Sequence, residues 1–301
     1  MNAILLTGHG GPEMLRYGDA PDPIPANDEI VVDVHAASVN AADYKVRLGG
    51  RNYNLTFPHI LGRDFSGVVA KTGEGVSDFA VGDPVFGVLD AGVEGAYAEK
   101  LSIRAAIAAR KPDSLSHLQA AAMALVGITA IWAVEDTAQL RAGETILIQG
   151  GAGGVAGFAI QLAKYLGATV ITTTSASNVD YVRGLGANTE DFTKSVSNCD
   201  VVFDTVGGEV QARSYSALKP GGRLVWVAPA PDGFRQPRSD VTVLRPAVGR
   251  DRAHLERIVA LFEAGAVAPP PIVRYGLADA TEAHRVSEGR HLRGKLVLAV
   301  R

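Results

Sequence analysis

The regular patterning of apolar positions is strongest between residues 145 and 174. Residues 145–149 form a short apolar, β-branched run, the kind that makes a buried parallel strand. Gly150, Gly151, Gly153 and Gly154 follow, and then Phe158, Ala159, Leu162, Ala163 and Leu166 recur at helical spacing. This predicts a helix over 154–166 and a second strand over 169–174. Beyond it the pattern predicts helix 178–184, a short strand near 188–192, strand 200–204 and helix 210–218. Pro220-Gly221-Gly222 should stop that helix before strand 223–227, and Gly265 should end a helix over 253–264. Such alternation predicts a doubly wound parallel sheet with crossover helices, an α/β fold.

The first third of the chain is patterned differently. Short strands are predicted at 3–7, 29–37, 64–72, 84–88 and 96–101, punctuated by Pro21, Pro23 and Pro25 and by the turn over 72–78. Many short strands before any long helix predict a small β-rich, barrel-like unit. Ser116 is a candidate N-cap for a helix over 118–124, with a second helix over 127–138. Pro269-Pro270-Pro271 is a rigid extended connection, after which helix 279–288 and strand 295–300 are too short to stand alone. The tail is therefore expected to complete the first unit, giving 1–122, 123–265 and a return segment 266–301.

Composition narrows the class. The chain has 301 residues, long enough for two domains, and 47% hydrophobic residues with 34 glycines suit a globular α/β protein. A net charge of −3, with both signs spread along the chain, gives no electrostatic case for nucleic acid or an anionic membrane. The single cysteine, Cys199, excludes an internal disulfide and a thiolate zinc cluster; before an apolar strand it reads as a packing residue. The N-terminus lacks a basic n-region and its apolar run is too short for a signal peptide. The apolar stretch 120–134 is broken by Gly127 and Thr129 and falls short of the ~20 residues a spanning helix needs, so a buried helix and a cytoplasmic protein are expected.

Gly151, Gly153 and Ala156 match G-x-G-x-x-G/A, the dinucleotide-binding fingerprint, with Gly154 and Val155 between them. The first glycine is expected to make the tight turn and the second to let backbone approach a pyrophosphate at the helix N-terminus. An NAD site expects an acidic residue ~20 positions on to bind the ribose hydroxyls. None occurs over 168–179, which offers Thr174, Ser175, Ser177 and Asn178 instead; these can hydrogen-bond a 2′-phosphate without repelling it. NADPH is therefore favoured over NADH. Asp204, Val206 and Gly207 lie at a strand's carboxyl end, where open α/β sheets bind ligands.

Taken with the fingerprint, several stretches spanning nearly the whole chain resemble the medium-chain dehydrogenase/reductase superfamily, most of all its zinc-free quinone oxidoreductase (zeta-crystallin-like) branch. They are Val39-Asn40-Ala41-Ala42-Asp43-Tyr44-Lys45, Leu61-Gly62-Arg63-Asp64-Phe65-Ser66-Gly67-Val68, Val81-Gly82-Asp83, Gly127-Ile128-Thr129-Ala130, Asp204 to Gly208, Lys219 to Arg223 and Arg293-Gly294-Lys295. The resemblance implies a GroES-like substrate domain split around a Rossmann domain, with the active site in the cleft, a nicotinamide coenzyme and commonly a homodimer. It implies that Asn40, Asp43 and Tyr53 line the substrate cleft, Tyr53 as hydrogen-bond donor and Asn40 to polarise a carbonyl or position the nicotinamide. It sets Thr129 beside the nicotinamide carboxamide and Lys295 near a coenzyme phosphate or ribose, although an exposed lysine at a strand start is the other reading of Lys295. Two departures stand out: Ala156 replaces the branch's usual glycine, and the segment after Val227 is short. Asn178 also stands where NADPH-binding members usually carry lysine.

The same resemblance bears on metal. Where zinc-dependent relatives place a first cysteine this chain has Asn40, and where they place His-Glu it has Arg63-Asp64. The cysteine-rich structural lobe is missing and the seven histidines include no H-x-x-x-H pair; His284 and His291 read as exposed helix-end residues. No metal is expected. Asp64-Phe65-Ser66-Gly67 is not a G-x-S-x-G elbow, so a hydrolase has no support. The reading is a zinc-free, NADPH-dependent reductase of quinones or α,β-unsaturated carbonyls. An enoyl-thioester reductase of the same superfamily and a non-catalytic NADPH-binding protein remain open.

Overall fold

The computed structural model describes residues 1–50, 54–189, 195–289 and 292–301. The chain gathers into two compact units, Met1–Leu125 with Arg250–Ala260 and Pro269–Arg301, and Val126–Gly249 with Leu261–Ala268. Arg250–Ala260, placed by the sequence in the second domain, gathers with the first. Arg252 is the reason: its guanidinium donates to the carbonyls of Ala105 (2.7 Å) and Ala108 (2.8 Å), pairs with Asp78 and lies over the Phe79 ring.

In the first unit an eleven-residue strand, Glu29–Val39, is the backbone of a seven-stranded sheet. One edge pairs along Asp64–Thr72; the other pairs with Lys100–Arg104 near its start and Lys295–Ala299 near its end. The returning tail thus completes this sheet. Ile30, Val32 and Val34 alternate into a core with Phe65, Val85, Leu101 and Leu296. The strand expected at 96–101 forms its ladder later, over Lys100–Arg104, because residues 96–98 are spent on bonds to Gly62, Leu61 and Ile4 and a bridge to Ala3.

Among the described residues the second unit carries six parallel strands in the spatial order Asn188–Thr189, Thr169–Thr172, Thr145–Gln149, Cys199–Asp204, Leu218–Trp226, Thr242–Leu244. This is the 3-2-1-4-5-6 order of a dinucleotide-binding sheet, with its switch point between Thr145–Gln149 and Cys199–Asp204. Strand 169–174 ends at Thr172, and the expected 188–192 strand is described only as Asn188–Thr189. Pro220-Gly221-Gly222 does not end the element before it. It bulges from a strand that starts at Leu218, so Cys199 faces Leu218 while Val201 faces Arg223. Cys199 is fully buried in the core, and burial pushes its thiol up to about 11.

Two short helices expected at 118–124 and 127–138 are one, His117–Ile131, running into a π-helical turn at Trp132–Thr137. Ser116 caps it reciprocally with Gln119. Gly127 does not break the helix, because buried packing on all sides outweighs the ~1 kcal/mol propensity cost of one glycine. His117–Thr137 is long and apolar enough to cross a membrane, but 78% of its most apolar window is buried inside the fold, which fits a core helix.

Candidate active site

The turn after Thr145–Gln149 divides its work differently from the fingerprint expectation. The left-handed conformation falls on Gly150, at φ +78°. Gly151 is required for space: a Cβ there would lie 2.3 Å from Thr172 Oγ1, on the neighbouring strand. Gly153 is the N-cap of helix Gly154–Tyr165 and brings no side chain to cap it, so the first-turn amides of Gly154, Val155 and Ala156 are available to an outside anion. Ala156 is buried, where a small residue lets helix and sheet pack closely.

A polar tie unforeseen from the sequence secures this turn. Thr173 accepts from the Gly150 amide (3.2 Å) and donates to Gln149 Oε1 (2.6 Å), while Gln149 Nε2 donates to Ser214 (2.9 Å), which donates on to the Val210 carbonyl (2.7 Å). Thr205 donates to the Gln149 carbonyl (2.7 Å). Three strand ends and a helix are so held under the glycines. Gln149, buried at the end of a strand, was indistinguishable in sequence from an ordinary polar boundary residue.

Around the next strand end, Ser175 accepts from Asn178 (3.0 Å) and lies 3.1 Å from the Ser177 hydroxyl. Thr174 Oγ1 is buried and has no hydrogen-bond partner among the described residues. A buried unpartnered hydroxyl, a clustered hydroxyl-amide surface and the lack of an acidic residue over 174–178 fit a phosphorylated ribose. Asp204 does not stand free to meet a ligand. Its carboxylate accepts from the amides of Val206 (2.9 Å) and Gly207 (3.1 Å); burial pushes its titration up, and those two bonds oppose the rise. It shapes the turn that leaves Val206 45% exposed and Gly207 at φ +77°. Thr129 is half-buried on the long helix.

In the first unit the motif residues converge on Asn40, the N-cap of helix Ala41–Arg47. Its Oδ1 accepts from Lys295 Nζ (2.6 Å), and its Nδ2 donates to Asp64 Oδ1 (2.7 Å) and more weakly to the Ser38 carbonyl (3.3 Å). Asp64 Oδ2 accepts from the Ser38 hydroxyl (2.7 Å), and Lys295 also donates to the Val39 carbonyl (2.8 Å). Lys295 is buried, so the exposed-lysine reading fails. Burial lowers its titration, opposed by the nearby Asp64 and Asp43 carboxylates. Asp43 Oδ2 accepts from the Asn40 amide (2.8 Å) and the Tyr97 hydroxyl (2.7 Å), while its buried Oδ1 has no partner among the described residues. Burial raises Asp43 to about 6 and pushes Tyr97 well above the usual phenol range.

Arg63 is buried and makes two bonds to Glu94 (2.9 and 3.1 Å), which also meets His59 (3.1 Å) and the Gly92 amide (3.0 Å). Burial pushes the Glu94 carboxyl up, but these partners outweigh it and hold the carboxyl below its usual range. Tyr53 lies outside the described residues, as does His291. His284 is not at an exposed helix end: it is wholly buried, accepts from Arg47 Nε (3.4 Å), and falls to about 3 through burial and the Arg47 charge. Arg47, also wholly buried, reaches the Gly10 carbonyl (2.6 Å) and Glu288.

Comparison with known proteins gives a consistent picture. Residues 26–113 match the alcohol dehydrogenase GroES-like domain, and residues 179–298 match the zinc-binding dehydrogenase domain. A quinone oxidoreductase of Pseudomonas aeruginosa is 31% identical over 322 residues, covering 98% of both chains. The polyketide synthase GfsB of Streptomyces halstedii is 34% identical over 293 residues, which are 90% of this chain but 5% of that far longer protein. The solved structure of Escherichia coli quinone oxidoreductase complexed with NADPH superimposes with a TM-score of 0.91 at 29% identity, covering 100% of both chains.

Proposed function

Because this chain belongs to the medium-chain dehydrogenase/reductase superfamily, we propose that it is a zinc-independent reductase that uses NADPH to reduce a quinone or an α,β-unsaturated carbonyl. The observation that carries this reading is the mutual commitment of Asn40, Asp64 and Lys295. At the positions where zinc-dependent relatives hold ligands, Asn40 is bonded to Asp64 and to Lys295, and Arg63 is a cation paired with Glu94. An amide with both N–H groups engaged and a guanidinium do not fit a zinc site.

The residues of the second unit fit a nicotinamide coenzyme. The first-turn amides of Gly154, Val155 and Ala156 would hold its pyrophosphate, and Thr174, Ser175 and Asn178 would hold a 2′-phosphate. When bound, the coenzyme supplies the hydride. The chain's own work is to orient reactants and to stabilise negative charge that develops on the acceptor oxygen, whose proton comes from solvent or Tyr53. The likeness to a quinone oxidoreductase crystallised with NADPH supports both choices. The likeness to a stretch of a polyketide synthase supports a second reading, an enoyl-thioester reductase. Purified protein assayed with NADPH and NADH against quinones, enones and an enoyl thioester separates these, with calorimetry of coenzyme binding alongside. Tight binding without turnover of any acceptor would instead favour a non-catalytic NADPH-binding protein.

A further inference from the structure

The Asn40 amide can sit in two orientations related by a flip, and its neighbours allow one. Lys295 has only hydrogens to offer and the Asp64 carboxylate only lone pairs. At 2.6 and 2.7 Å from the two ends of the amide, they force Oδ1 toward the ammonium and Nδ2 toward the carboxylate. Ser38 holds the other carboxylate oxygen, and the Val39 carbonyl holds the ammonium from the strand that leads into Asn40. Asp43 holds the Asn40 backbone amide. Among the described residues, both Nδ2 hydrogens then have acceptors while Oδ1 keeps a lone pair.

We propose that Lys295 is a positioning residue: it locks Asn40 so that this side chain meets the bound reactants as a hydrogen-bond acceptor and never as a donor. The proposal rests on the reductase reading and deepens it. Of the two tasks the resemblance gives Asn40, polarising a carbonyl requires a donor, which this arrangement withholds. Accepting from an N–H or O–H of a bound molecule is the task it permits. Gly294 serves the same end, since a Cβ there would lie 2.1 Å from the Pro271 carbonyl and displace the strand that begins at Lys295. The lock depends on charge. A neutral lysine amine gains a lone pair, could accept from a flipped amide, and no longer enforces one orientation.

The test uses the full-length protein and the variants Lys295→Met and Lys295→Arg. It reads kcat and KM for the acceptor across pH, the coenzyme dissociation constant by nicotinamide fluorescence, and melting temperature. Lys295→Met is expected to lower kcat at least tenfold while the coenzyme constant stays within threefold. In the wild type kcat should fall on the alkaline side, below the usual lysine range, because Lys295 is buried; Asp43 and Asp64, the facing carboxylates, moderate that shift, and Tyr97 titrates higher. Lys295→Arg, which does not titrate there, should retain at least a third of kcat and lose the alkaline limb. Three outcomes overturn the proposal: Lys295→Met within threefold of wild-type kcat, a tenfold weaker coenzyme constant with kcat unchanged, or an alkaline limb that persists in Lys295→Arg. If Lys295→Met does not fold, the arginine variant's pH profile decides alone. Failure of the wild type to turn over any acceptor would reject the reductase reading itself, before either variant is compared.

Discussion

The Tyr97 hydroxyl donates to the Asp43 carboxylate at 2.7 Å, and the ring that carries it occupies space left by the missing side chain of Gly62. A Cβ at Gly62, which sits at φ +91°, would lie 2.3 Å from Tyr97 Cδ1. Removing the hydroxyl in Tyr97→Phe leaves Asp43 with the Asn40 amide as its remaining donor among the described residues. The expected loss is about 1–3 kcal/mol of stability, measured by urea unfolding. Gly62→Ala should cost more, because it combines a clash with a strained backbone.

Much of this cluster was visible in sequence only as a motif. The run Leu61-Gly62-Arg63-Asp64 marked a resemblance without saying what each residue does. In the structure Gly62 admits Tyr97, Arg63 pairs with Glu94, and Asp64 holds Asn40 and Ser38. These partners lie 24 to 35 positions apart along the chain, beyond the reach of any local pattern. The parallel sheet was legible because strand and helix periods alternate cleanly. The single helix His117–Ile131 was not, since a helix buried on all sides shows no amphipathic stripe and Gly127 reads as a break. Buried His284 was misread for a related reason: only the fold reveals that its helix packs against Arg47.

Two buried groups make opposite contributions to the pH dependence of stability. The native state holds His284 neutral down to about 3 while the unfolded chain protonates near 6.5, so stability falls as pH drops below 6.5. At pH 5 the loss from this one residue is about 2 kcal/mol, from 1.4 kcal/mol per pH unit. Asp43 runs the other way. Its native pKa of about 6 exceeds the unfolded 3.8, so the native state binds the proton more tightly and stability falls as pH rises from about 4 to about 6, then levels. Urea unfolding at a series of pH values should show His284→Gln with a flatter acid side than wild type. Asp43→Asn should show a steeper one.

The glycines of the Gly150–Gly154 turn should separate by cause. Gly151→Ala forces a Cβ against Thr172 and should cost about 1–3 kcal/mol by thermal unfolding. Gly153→Ala meets nothing nearer than the Gly150 carbonyl at 3.4 Å, so the melting temperature should barely move. Its methyl would instead crowd the bare helix N-terminus, and the coenzyme dissociation constant should rise more than tenfold by calorimetry.

Gln149→Leu keeps the size of the side chain but leaves the Thr173 and Ser214 hydroxyls without it. A stability loss of about 1–3 kcal/mol is expected, with weaker coenzyme binding and an unchanged KM for the acceptor. Unchanged coenzyme affinity in a folded variant would show that the tie supports the sheet and not the turn.

Zinc-independent hydride transfer from NADPH is tested most directly by the loss of reduced-nicotinamide absorbance when the purified, chelator-treated protein meets a quinone or an enone. Turnover should survive chelation, with kcat/KM at least tenfold higher for NADPH than for NADH. Activity that disappears on chelation and returns with zinc would contradict it, as would a preference for NADH.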